Sequence, residues 1–133
     1  MAGCNAVHVP MEPKMKLSKV SVNPPVDVTL YRSSIGSLRY LVHTRPDISF
    51  DIGFVSRFME ALTTEHMSAI KHILRYISGR LNLGCCYRSR SKEGEGLVGF
   101  SDAYLAGDID DRTSTTGNLF FFGNCPIAWQ LQK

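Results

Sequence analysis

The stretch Leu97-Val98-Gly99-Phe100-Ser101-Asp102-Ala103 is a short apolar run with a carboxylate, Asp102, near its end. A strand end holds a ligand rigidly, and hard divalent cations take carboxylate oxygens, so Asp102 is placed for metal-ion chemistry. Three more acids, Asp108, Asp110 and Asp111, follow in a polar loop that closes at Gly117. They lack the glycine and the distal Glu of a calcium loop and read as solvated acids. The histidines at 8, 43, 66 and 72 share no spacing; His66 and His72 lie six apart on one helix, on different faces. No Ser/His/Asp or Cys/His grouping and no Walker-type phosphate loop is legible. Cys85 and Cys86 are adjacent, whereas Cys4 and Cys125 sit near opposite ends. That is neither zinc spacing nor a disulfide framework, and the four thiols read as reduced and intracellular.

These groups sit on a chain of 133 residues, 44% apolar, which bounds the answer at one globular domain of ordinary size. The net charge of +3 hides an asymmetry. Residues 1–92 carry 13 Lys and Arg against 6 acids, and residues 93–133 carry 2 against 6. A basic half attracts phosphate backbones and an acidic half can hold metal; a moderately basic solvated surface explains the first half equally well. No apolar run is long enough to span a bilayer, and the N-terminus lacks a signal-peptide core. The expectation is an intracellular chain, in cytoplasm or nucleus, not secreted and without a membrane partner.

Residues 1–27, with prolines at 10, 13, 24 and 25, read as an irregular tether. From Asp27 to His43 the spacing predicts a helix capped by Asp27 or Thr29, with Leu30, Ser34, Leu38, Leu41 and Val42 inward. Pro46 suits the first turn of a second helix, whose stripe is Ile48, Ile52, Val55 and Met59, widened by Phe50, Phe54 and Phe58. Asp51 interrupts that stripe, and a charge there costs stability unless it faces water. Thr63 or Thr64 caps a third helix with Met67, Ile70, Leu74, Ile77 and Leu81 inward, ending near Gly79. Leu83 to Tyr87 reads as a short strand, and 88–96 as a linker. Three strands then follow, the second and third joined at Gly123-Asn124. The fold class is α+β: three amphipathic helices, then a three-stranded antiparallel sheet.

Several segments together resemble the Pol polyprotein of copia-type LTR retrotransposons, plant-like in style. Ser101-Asp102-Ala103-Tyr104-Leu105-Ala106-Gly107-Asp108 is similar to the run that opens the family's ribonuclease H domain, although Tyr104 and Leu105 replace its second Asp and its aromatic residue. Asp110-Asp111-Arg112-Thr113-Ser114-Thr115-Thr116-Gly117, Phe120-Phe121-Phe122-Gly123 and Pro126-Ile127-Ala128-Trp129 continue the match. Upstream, Cys4 to Pro13, Leu30 to Leu41, the complete Thr44-Arg45-Pro46-Asp47-Ile48-Ser49-Phe50 and the helix from His66 to Ile77 resemble the end of its reverse transcriptase. In so many segments and in fixed order, the resemblance is specific.

The resemblance implies the helical end of reverse transcriptase over 28–87 and the first strands of an incomplete ribonuclease H-like fold over 97–133. Hydrolysis of the RNA strand of a hybrid would use two Mg²⁺ ions held by several acids. Asp102 matches the first of those acids and is the lone metal and catalytic candidate. The chain stops at Lys133, where the family begins the loop toward its Glu, so the expectation is a truncated fragment with no stably bound cofactor and no activity by itself. Arg39, Lys71 and Arg75 are the candidates for weak, non-specific binding of RNA–DNA hybrid or DNA. Two alternatives stand beside this: a ribonuclease H completed by another chain, and self-association through Phe120, Phe121, Phe122 and Trp129 on an uncovered sheet.

Overall fold

The computed structural model describes residues 4–12, 15–19, 22–87, 96–104 and 114–132. The α+β order is α1 (Val28–Val42), a 3-10 turn (Pro46–Ile48), α2 (Ser49–Val55), α3 (Thr64–Gly79), then β1 (Leu97–Tyr104), β2 (Thr115–Phe122) and β3 (Cys125–Gln132). The expected linker, Gly96 apart, and the loop acids Asp108, Asp110 and Asp111 lie outside the described residues.

Helix α1 starts at Asp27, whose Oδ1 accepts the N–H groups of Thr29 at 2.8 Å and Leu30 at 3.2 Å, two of the donors that a helix start leaves unpaired. Its buried face is Tyr31, Ile35 and Leu38. Of the expected face, Leu38 is buried and Val42 packs against the core, whereas Leu30 is 56% exposed and Leu41 is exposed too. Tyr31 wins the core place because its hydroxyl donates to Val55 O at 2.8 Å, so a wholly buried ring leaves no polar atom unsatisfied.

In α2 and the turn before it, Ile48, Ile52 and Val55 are buried as the spacing requires, and Phe58 follows them into the core. The helix stops at Val55, and Phe50 stays exposed at its outer side. Helix α3 buries His66, Ala69, Ile70, Ile73 and Tyr76, while Leu81, beyond its end, is exposed. Thr63 caps it reciprocally: His66 Nδ1 accepts the Thr63 N–H at 3.3 Å and lies 3.0 Å from Thr63 Oγ1. Thr63→Ala should cost about 1 kcal/mol, read as a lower urea midpoint with an unchanged slope.

The described residues of 4–19 carry no helix or strand, yet they are packed down. Leu17 is buried in the helical core, with Val7, Met11 and Met15 against it. Ala6 lies so close to Gly79 that a Cβ there would stand 2.6 Å from its own. The expected strand at Leu83–Tyr87 is not formed. A strand needs a ladder partner, and none among the described residues is paired with this segment; Cys85 Sγ instead approaches Thr44 O at 3.8 Å.

The sheet has the order β1-β2-β3, both pairs antiparallel. The two-residue connection Gly123-Asn124 turns at Gly123, φ 57°, a conformation open to glycine at little cost. β2 begins at Thr115, before its apolar part, because Thr115–Asn118 pair with β1 whatever their polarity. Pro126 is accommodated on the edge strand β3, where the register shifts opposite Phe120 and Phe121. Opposite residues share a face, so Phe100, Leu119 and Trp129 stand in one row and Asp102 lies beside Gly117. Among the described residues no helix is long and apolar enough to cross a membrane.

Candidate functional site

Asp102 is exposed on β1 and lines a hollow of about 310 Å³ between the sheet and the start of α2, with Pro46, Phe50, Phe100 and Trp129. Among the described residues no group of three or more His, Cys, Asp or Glu could hold a metal ion. Two hard cations with octahedral oxygen shells need more than one carboxylate, so the described residues do not fit a two-Mg²⁺ centre.

The three basic candidates fall in different surroundings. Lys71 is exposed on α3. Arg75 is half-buried, and its Nε donates to Asn5 O at 2.8 Å, so it clamps the N-terminal segment onto α3. Arg39 lines a larger hollow of about 650 Å³ between α1, α2 and β3, together with Gly36, Tyr40, His43, Arg57 and Trp129. Among the described residues, none of α3 and no carboxylate contributes to that wall. The hollow exists because β3 is pinned to α1: Trp129 Nε1 donates to Val42 O at 2.7 Å, a carbonyl in the last turn that the helix itself leaves unpaired. Arg57 ties α2 to β2 by donating to Thr115 Oγ1 at 2.7 Å. Arg57 and Trp129 were not singled out for this wall from sequence, since no local pattern places a residue after α2 on the same wall as one about seventy positions nearer the end. Trp129 was expected on an uncovered face; it is half-buried instead, while Phe120 and Phe122 remain exposed.

The chain is 42% identical to the retrovirus-related Pol polyprotein from transposon RE1 of Arabidopsis thaliana, over all 133 residues. It belongs to the retrovirus-related Pol polyproteins of transposons. Its identity to the Pol polyprotein from transposon RE2 of the same plant is 37% over the whole chain, and to that from transposon TNT 1-94 of Nicotiana tabacum 41%. It spans about a tenth of the length of these Pol polyproteins: 9% of RE1 and RE2 and 10% of TNT 1-94. No family model and no solved structure matches it.

In this Pol segment the Thr44 to Phe50 motif does structural work. Arg45 is buried, and it grips Asp47 with two parallel bonds, Nε to Oδ1 at 2.9 Å and Nη2 to Oδ2 at 2.8 Å. Its Nη1 donates to Arg80 O at 3.2 Å, just past the end of α3, and Tyr76 donates its hydroxyl to Asp47 Oδ2 at 3.0 Å. The hydrogen bonds from Arg45 hold the Asp47 carboxyl below its ordinary range, and the same bonds raise the pKa of Arg45. Asp51, one turn later, has no such partner set. It is buried, and desolvation pushes its carboxyl up to about 6, although its place in the first turn of α2 and its own backbone N–H act the other way.

Proposed function

We propose that this chain is the part of a copia-type Pol polyprotein that joins the helical end of reverse transcriptase to the first strands of ribonuclease H. It binds nucleic acid weakly and without sequence preference through its basic half, and it does no hydrolysis by itself. The observation that carries the reading is the setting of Asp102: an exposed carboxylate on an edge strand, two residues before its end, and the one described residue that matches a family metal ligand. One carboxylate offers two oxygens, which is too few for the metal pair of phosphodiester hydrolysis.

Purified chain incubated with Mg²⁺ and an RNA–DNA hybrid should leave the RNA intact at every protein concentration. Cleavage that disappears in Asp102→Asn would replace this reading with the second, a ribonuclease H completed between chains. Binding should weaken steeply between low and physiological salt, because the contacts displace counterions from phosphates. A weak affinity that ignores salt would remove the nucleic-acid part of the proposal.

Self-association is a further reading, supported by the exposed Leu97, Val98, Phe100, Phe122 and Ile127 on and around the sheet.

A further inference from the structure

The hollow between α1, α2 and β3 differs from the rest of the basic half in being concave, cationic and aromatic at once. Its volume, about 650 Å³, is in the range of small-ligand sites. Arg39, Arg57 and His43 stand on its wall, and among the described residues no acid does. Tyr40, 79% exposed, and the half-buried Trp129 supply aromatic surface. Gly36 opens the wall further: a Cβ there would meet nothing within 4 Å, so the backbone of α1 faces empty space. The wall is built rather than incidental, since Trp129 is held by Val42 and Arg57 by Thr115. Guanidinium groups pair with phosphate, and indole and phenol rings stack on flat heterocycles whatever their identity.

We propose that this hollow binds a nucleoside phosphate, with the base against Trp129 or Tyr40 and the phosphate on Arg39 beside Arg57. The ligand is either a free nucleotide or one unpaired nucleotide of a single strand. The proposal deepens the nucleic-acid reading and rests on it. It replaces a diffuse basic surface with one socket, and it gives Arg39 a role that Lys71 and Arg75 do not share.

Trp129 is the single tryptophan of the chain, and it lines both this hollow and the neighbouring one beside Asp102, so its fluorescence reports these two walls and the Arg39 variant tells them apart. The test titrates the full chain at low salt with AMP, with inorganic phosphate and with a single-stranded oligonucleotide, and repeats each titration in Arg39→Gln and in Lys71→Gln. Both side chains are exposed, so neither variant disturbs the core; a thermal melt checks this. AMP should quench Trp129 saturably, and inorganic phosphate should compete without quenching. Arg39→Gln should weaken AMP by at least about tenfold, the scale of one lost charge-assisted hydrogen bond, while Lys71→Gln should leave it unchanged. If the oligonucleotide alone quenches, the socket takes a nucleotide only as part of a strand, and Arg39→Gln must still weaken it more than Lys71→Gln. Equal losses in the two variants, or salt-dependent oligonucleotide binding with no change at Trp129, would overturn the socket and leave the broader reading intact. No binding of any probe would remove both.

Discussion

Asp47→Ala should lower the unfolding free energy by about 3 kcal/mol at neutral pH. The loss comes from what the change leaves behind more than from what it removes. Arg45 keeps its charge in a setting where its side chain is 10% exposed, and only Arg80 O remains of its three hydrogen bonds. Breaking one side of a buried pair costs about 3–5 kcal/mol. The low end applies because the Asp47 side chain is 31% exposed and water screens part of the interaction. Tyr76 loses its acceptor as well. The pH dependence has a definite sign. The folded carboxyl titrates below its ordinary value of 3.8, so its contribution is complete above that value and is lost as pH falls through the folded pKa. Urea unfolding of wild type and Asp47→Ala from pH 7 downward should therefore show two midpoints that converge in acid. Replacing both members, Arg45→Met with Asp47→Leu, should recover part of the loss. A double variant less stable than Asp47→Ala would mean that the pair is not what holds the turn to α3.

Asp51→Asn should do the opposite and stabilise the protein at pH 7 by about 2 kcal/mol. Its carboxyl is pushed up to about 6 from 3.8, chiefly by burial and further by the nearby charge of Asp47. At about 1.36 kcal/mol for each unit of pKa, holding it ionised costs on the order of 3 kcal/mol at pH 7. The amide removes the charge but still buries a polar group, which reduces the gain. Here the folded value is the higher one, so the stabilising contribution of the protonated acid is complete below 3.8 and is lost as pH rises through about 6. The advantage of Asn over Asp should thus vanish near pH 4 and reach its full size at pH 7. Comparing the two proteins at each pH cancels the titration of Asp47. A difference independent of pH would show that Asp51 is not desolvated. The two carboxylates lie four residues apart; burial raises both, and the hydrogen bonds from Arg45 reverse the sign at Asp47.

Much of the architecture was legible in the chain. Caps, prolines and apolar spacing placed the helices, because these act within a few residues and are written where they act. Asp27 and Thr63 cap the helices at which spacing put them, and Gly79 ends α3. The strand order followed from short connections and the Gly123 turn. Helix phase was less legible. Tyr31 and His66 displaced leucines and methionines from the deepest places because each found a buried hydrogen-bond partner on a remote or neighbouring backbone. Hydrophobicity counted along a helix cannot register such partners.

The basic residues show the same division more sharply. Sequence by itself assigned Arg39, Lys71 and Arg75 to one class, three cations on helical surfaces. The fold separated them: Lys71 faces solvent, Arg75 holds Asn5, and Arg39 enters a wall with Trp129. Family membership, the order of elements and the single matched carboxylate Asp102 depend on residue type and order, which one chain records in full. What each charge does depends on its burial and on neighbours dozens of positions away, and those are set only when Trp129 closes the sheet against the last turn of α1.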